Sequence, residues 1–213
     1  IVVGALNGIV VAYLGVVPFI ATLGMQYAVR GVALVYTGGR PINALTTAFT
    51  NLGKGYAGPI PVPVIIFAIV ALISWFFLAK TQFGRYIYAI GGNEKAALVS
   101  GLRVKQLKFL SYVINGMTAA LAGILLAARV AVGSPTAGES YDLLAITAVV
   151  VGGTSNAGGT GGILPSIIGV FIVTVMNNGM DLLGISGYYQ KIVTGVVVLL
   201  AVIIDRNNVN RNH

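Results

Sequence analysis

Val62-Pro-Val-Ile-Ile-Phe-Ala-Ile-Val-Ala-Leu-Ile-Ser-Trp-Phe-Phe-Leu-Ala-Lys80 is the stretch that decides the fold. It carries no charge before Lys80, and a helix needs about 20 apolar residues to cross a bilayer. Trp75, Phe76 and Phe77 stand beside the charged end, where aromatic belts sit at a membrane–water interface. The pattern recurs: charge-free stretches cover 1–29, 55–79, 109–128 and 143–180, and 192–204 adds a shorter one. Of 213 residues, 57% are hydrophobic and 8% charged, against about 25% charged in an average soluble domain. So high an apolar fraction excludes disorder, and the 29 glycines follow no three-residue period, which excludes collagen. The fold class is all-α: a polytopic transmembrane helical bundle, expected to form one domain over 1–213.

Residue counts remove several enzyme classes. There is no Cys, so disulfides, thiolate metal sites and Cys nucleophiles are absent. The only His is His213, which leaves a Ser-His hydrolase or an HExxH protease without its base or ligands. A Ser-Lys pair, Ser74 or Ser111 with Lys80 or Lys108, stays open on composition alone. No catalytic residue, metal or cofactor is implied. Ile1 lies inside an apolar run with no basic segment before it, which is not a signal-peptide pattern; the expectation is a chain that begins within a span.

The basic residues set the orientation. Lys80, Arg85, Lys95, Arg103, Lys105 and Lys108 all fall in the polar segment 80–108, with Glu94 as its one acid, and Arg206 and Arg211 lie in the tail 205–213. Lys and Arg in short loops near span ends mark the cytoplasmic side, so both segments are expected inside. Nucleic acid is not the partner: no folded basic face with base-reading residues is evident. Seven spans satisfy these anchors, near 1–15, 17–36, 62–79, 109–129, 142–154, 163–180 and 188–204. Segment 37–61, rich in Gly, Pro and Asn, reads as an external loop, and 135–142 as an outer turn.

Two segments break the apolar pattern. In 152–162 (Gly152-Gly-Thr-Ser-Asn-Ala-Gly-Gly-Thr-Gly-Gly162), irregular backbone at membrane depth needs protein or water to satisfy it. Either a broken helix lines a path there, or the glycines let neighbouring elements pack closely. Gly4 with Gly8 and Gly158 with Gly162 fit GxxxG contacts. No Lys follows the glycines, so the stretch is not a Walker A loop. In the second segment, Gly91-Gly92 permits a sharp turn, Asn93 is a good N-cap, Glu94 suits a first turn and Gly101 a stop. A helix of about two turns over 93–101 follows. It is too short to stand alone; its small apolar face at Ala96, Ala97 and Leu98 either fits a groove on another protein or lies at the bilayer interface.

Segment 84–104, Pro135-Thr-Ala-Gly-Glu-Ser-Tyr-Asp-Leu-Leu-Ala-Ile-Thr-Ala-Val-Val-Val-Gly-Gly-Thr154 and Asn177-Asn-Gly-Met-Asp-Leu-Leu-Gly-Ile-Ser-Gly-Tyr-Tyr-Gln190 resemble the permease subunits of bacterial sugar ABC importers, the ribose permeases above all. The resemblance covers essentially the whole chain. It implies a type II importer-like fold of about ten spans, of which this chain holds about seven, in the bacterial cytoplasmic (inner) membrane. It also implies a second permease copy, an ATP-binding cassette ATPase subunit and a periplasmic sugar-binding protein as partners, besides membrane lipid. Asn93, Glu94, Ala96, Ala97, Leu98 and Gly101 then match the cytoplasmic helix that couples to the ATPase.

Polar residues inside spans are the candidates for a translocation path: Arg30, Asn115, Thr147, Asn177 and Asn178, with Thr118 beside them. An Arg at mid-membrane costs about 2.5–3.5 kcal/mol on insertion scales, so Arg30 faces the bundle interior or snorkels toward the outer surface beside Tyr36. The amides and hydroxyls either line a path for sugar hydroxyls or bond between helices. Asp181 is a proton carrier or a solvated interfacial carboxylate. Two transport readings therefore stand: an ATP-driven monosaccharide importer, or a self-sufficient carrier or channel for a small polar solute using Arg30 and Asp181.

Overall fold

The computed structural model describes residues 1–43 and 45–211, with the backbone alone described at 202 and from 204 to 211. In chain order the helices are α1 (Val2–Ala12), α2 (Pro18–Thr37), α3 (Thr47–Lys54), α4 (Val62–Lys80), α5 (Gln82–Gly92), α6 (Glu94–Val99), α7 (Val104–Val130), α8 (Tyr141–Val151), α9 (Ile163–Leu182) and α10 (Gly187–Arg211). A short antiparallel hairpin, β1 (Tyr56–Ala57) with β2 (Ile60–Pro61), precedes α4. Among the described residues four helices, α2, α4, α7 and α9, are long and apolar enough to cross a membrane, and the apolar segments Val2–Ala12, Tyr141–Val151 and Gly187–Ala201 are shorter. Each of the seven expected spans thus corresponds to a helix. The expected tail 205–213 lies outside the described residues, apart from the backbone of α10 through Arg211.

The chain forms two compact units, residues 1–72 with 102–138 and residues 73–101 with 139–213. In the first, α1 lies on α7 through glycine. A Cβ at Gly4 would meet the Tyr112 carbonyl oxygen at 2.5 Å, and one at Gly8 would meet the Phe109 ring at 2.9 Å. Tyr13 stacks edge-on against Phe109, ring centroids 6.2 Å apart. Gly4 and Gly8 are therefore a close-contact surface, as small residues at membrane helix interfaces allow. The far end of α7 is held twice. Ile42 and Gly133 exchange backbone hydrogen bonds of 2.8 and 2.9 Å, and Gly53 of α3 lies on the backbone of Ala128 and Arg129.

In the second unit α8 packs on α9, again backbone to backbone: Gly169 lies on the Ala148 carbonyl and Gly152 on that of Pro165. Thr147 is buried here at 1% exposure, and its hydroxyl donates to the Leu143 carbonyl at 2.6 Å. That bond to the preceding turn satisfies the hydroxyl inside its own helix.

Three boundaries differ from those the sequence predicts. The 37–61 loop contains α3 and the hairpin; an eight-residue helix is marginal alone and forms here against α7. Helix α7 begins at Val104, five residues before Phe109, so it includes Lys105 and Lys108, which a count of the apolar run leaves out. Helix α5 continues through Gly91 and Gly92, and the sharp break comes one residue later, at Asn93 (φ −156°, ψ 100°).

Candidate functional site

Asn93 ends α5 and starts α6. Its side-chain Oδ1 accepts from the Ala96 backbone N–H at 3.0 Å, satisfying one of the unpaired donors of a helix start. Gly101, at φ +82°, takes the left-handed turn after the helix, and its N–H donates to the Leu98 carbonyl at 3.0 Å. Glu94 and Ala96 are exposed on this element, as are Asn93 and Gly101. Ala97 is buried within the chain at 5% exposure, whereas Leu98 and Val99 stand out at 63% and 89%. Six candidate coupling residues are thus gathered on one capped segment, but Ala97 is its foot and Leu98, with Val99, its outer surface. Val99 was not among the expected contacts, though an apolar residue between an apolar run and Ser100 is visible in the sequence.

The glycine stretch 152–162 is non-helical and rests on the end of α5. A Cβ at Gly91 would lie 2.5 Å from the Gly159 nitrogen, and one at Gly158 would lie 2.8 Å from the Gly91 carbonyl oxygen. Gly158, Gly159 and Gly161 hold positive φ of 94°, 78° and 136°, conformations open to glycine at little strain. Thr154 Oγ1 lies 3.3 Å from Ser166 Oγ and accepts from the Gly162 N–H at 3.4 Å, and the Ser166 hydroxyl donates to the Gly162 carbonyl at 2.8 Å. Close packing is what these glycines provide. Gly158 and Gly162 consequently form no helix–helix GxxxG contact, because neither lies within a helix.

The path candidates fall in different surroundings. In the first unit, Arg30 lines a cavity of about 340 Å³ between α1 and α2. Asn7, Thr22 and Gln26 complete its polar wall, while Val3, Met25, Val29 and Ala33 form its apolar side. Thr22, Gln26 and Arg30 are four residues apart and so share one face of α2. Asn115, with Thr118 nearby, is exposed on α7 and does not line this cavity. In the second unit Thr147 is core, as described, Asn177 is half-buried on α9 and Asn178 exposed. Asn7 and Gln26 were not singled out from the sequence; the signal for Gln26 is its four-residue spacing to Arg30, whereas Asn7 stands alone in an apolar run.

Helices of this length and composition, joined by a capped helix in a basic segment, define a polytopic integral membrane protein. Residues 1–202 match the family model described as branched-chain amino acid transport system / permease component, and the chain belongs to that family. It is 50% identical over 202 residues to the ribose import permease protein of Bacillus subtilis (strain 168), covering 94% of this chain and 63% of that protein. With the ribose import permease protein of Escherichia coli (strain K12) it shares 49% identity over 207 residues, 95% of this chain and 64% of that protein. The D-allose transport system permease protein of the same strain is 40% identical over 203 residues, 95% of this chain and 62% of that protein. The chain therefore spans somewhat less than two thirds of these relatives' length. No solved structure matches it significantly.

Proposed function

We propose that this chain serves in the transmembrane permease subunit of an ATP-binding cassette importer that carries a monosaccharide, ribose or a close relative, across the bacterial cytoplasmic membrane. ATP hydrolysis resides on a partner ATPase, a periplasmic sugar-binding protein delivers the solute, and a second permease copy completes the pathway. The 50% identity to a ribose import permease over 94% of the chain is the observation that carries this reading. Helix α6 supports it: a short element, capped at both ends, that turns Leu98 and Val99 outward is suited to a partner's apolar groove. Movement of that groove between two states would bias the membrane helices only through contacts that differ between the states.

The self-sufficient carrier fits less well. Asp181 is exposed and accepts a hydrogen bond of 2.7 Å from Gln190 Nε2, the setting of a solvated carboxylate and not of a buried proton relay. The complete transporter, reconstituted in vesicles with its ATPase and binding protein, tests the assignment. Ribose should accumulate only with ATP inside the compartment that holds the ATPase; uptake driven by a proton gradient without ATP would refute it.

A further inference from the structure

A second cavity lies wholly within the second unit, where α4 ends. Trp75, Leu78 and Ala79 of α4, Tyr88 of α5, and Leu164 and Pro165 at the start of α9 enclose about 200 Å³, open on one side. Most of this wall is apolar, and its polar groups are largely engaged. The Tyr88 hydroxyl donates to the Gly161 carbonyl, and the Gly162 carbonyl accepts from the Ser166 hydroxyl. The space is smaller than the roughly 300 Å³ at which small-molecule pockets begin, so it suits one segment of a larger apolar molecule. Positive charge is gathered at its rim. Lys80 Nζ stands over the Trp75 ring, 5.9 Å from the centroid. Gly84 lies on the Leu78 carbonyl, which brings the first turn of α5 back onto the end of α4, and Arg85 follows. Arg85 and Tyr88, three residues apart, are neighbours on the surface of α5. Lys80 and Arg85 are both exposed, and no acid precedes Glu94 in the chain. Among the described residues the Arg85 guanidinium has no hydrogen-bond or ion-pair partner.

We infer that this cavity is a binding site for one anionic phospholipid of the cytoplasmic leaflet, with an acyl chain against Trp75 and Leu164 and the headgroup phosphate between Lys80 and Arg85. The inference is independent of the solute transported. Two features of the site select the ligand. The apolar wall favours hydrocarbon over a free anion or a sugar, which would leave polar groups unpaired there. The two cations, with no carboxylate on α4, on α5 or in the first turn of α9, favour a phosphate. An ammonium over an indole face keeps its N–H donors for an anion, and a guanidinium meets phosphate with paired N–H groups. A zwitterionic headgroup brings its own cation toward Lys80 and Arg85 and is disfavoured by that repulsion. By the orientation read from the basic residues, this end of α4 faces the cytoplasmic leaflet, where anionic lipids attract basic segments beside a span. The Tyr88–Gly161 bond forms part of the cavity wall, so a bound lipid braces α5 against the glycine stretch and stabilises the folded unit by mass action.

Trp75 is the one tryptophan of the chain and serves as the reporter. The complete permease, with any tryptophan outside this chain replaced by phenylalanine, is placed in phosphatidylcholine nanodiscs. These contain an equal minor fraction of either phosphatidylglycerol or phosphatidylcholine brominated on the acyl chain, since bromine quenches a tryptophan that it touches. Brominated phosphatidylglycerol should quench Trp75 severalfold more than brominated phosphatidylcholine. Lys80→Gln combined with Arg85→Gln should abolish the difference, and Lys54→Gln on α3 should not. The double variant keeps four of the six basic residues of 80–108, so its orientation is retained. Ala79→Phe fills the cavity without changing charge and should reduce quenching by both lipids. Phosphatidylglycerol should also raise the melting temperature of the wild type and leave that of the double variant unchanged. Equal quenching of the wild type by the two lipids would overturn the site. A preference that survives in the double variant would show diffuse attraction to the basic segment, and one abolished by inorganic phosphate at constant ionic strength would show a site for a free anion; either result would overturn it as well.

Discussion

The Tyr88 hydroxyl donates a hydrogen bond of 2.9 Å to the carbonyl oxygen of Gly161, 73 positions later in the chain. It ties α5 to the glycine stretch at the point where Gly91 meets Gly158 and Gly159. One residue beyond α5, Asn93 opens α6. The helix proposed to meet the ATPase is thus anchored, through a single-residue hinge, to an element that joins α8 to α9. On the proposed coupling role, a displacement of α6 would be passed on through backbone contacts, which have no side-chain rotamers to absorb it.

Paired glycine substitutions test this joint. Gly91→Ala places a methyl 2.5 Å from the Gly159 nitrogen, whereas a Cβ at Gly92 meets nothing within 4 Å. Gly91→Ala should lower stability by about 1–3 kcal/mol, as overpacking does, and weaken the dependence of ATP hydrolysis on sugar. Gly92→Ala should be neutral or slightly stabilising, as alanine favours helix. Thermal unfolding in detergent and sugar-stimulated ATPase activity measure both effects. Equal behaviour of the two variants would show that the close approach is not maintained in the working protein.

The α1–α7 contact makes a similar demand. Gly4→Ala drives a methyl against the Tyr112 carbonyl oxygen, and Gly24→Ala on α2 enters open space. The first should reduce thermal stability measurably, by about 1–3 kcal/mol. Gly24→Ala should leave it unchanged or raise it by up to about 1 kcal/mol.

Removing the cap of α6 is a milder perturbation. Asn93→Ala deletes the acceptor for the Ala96 N–H and should cost about 1 kcal/mol of local helix stability. Asn93→Asp keeps an acceptor and should restore function. The expected phenotype of Asn93→Ala is a normal level in the membrane with a reduced ratio of solute carried to ATP hydrolysed. An alanine variant with wild-type coupling would mean that α6 is held by its surroundings and not by its cap.

Orientation can be checked from outside intact cells. Lys95→Cys should stay unlabelled by an impermeant thiol reagent, and Glu139→Cys, in the expected outer turn, should be labelled. The opposite pattern would invert the topology drawn from the basic segment 80–108.

Much of this architecture was legible in the sequence, since bilayer thickness dictates the length of an apolar run and charge marks its ends. That argument found α4 almost to the residue, because Lys80 closes a charge-free helix. It cut α7 short, because helical geometry continues through Lys105 and Lys108 beyond the apolar run. Asn93 was legible as a cap because its chemistry is local. Ala97 was not legible as a buried residue, since alanine suits either side of a short helix and the choice depends on tertiary packing. Asn7 escaped notice for a related reason: one amide in an apolar run reads as an interhelical bond until the structure shows its oxygen unpaired.

The most direct measurement is ATP hydrolysis by the reconstituted complex, with and without ribose-loaded binding protein, for the wild type, Leu98→Asp and Val99→Asp. Both side chains are exposed on α6, so the substitutions should leave folding and membrane level intact, while a carboxylate buried unpaired in an apolar groove is strongly unfavourable. The account predicts that ribose-loaded binding protein stimulates the wild type about tenfold or more, and that each variant loses that stimulation together with ribose uptake. Full stimulation and uptake in both variants would contradict the assignment of α6 as the contact that couples ATP hydrolysis to transport.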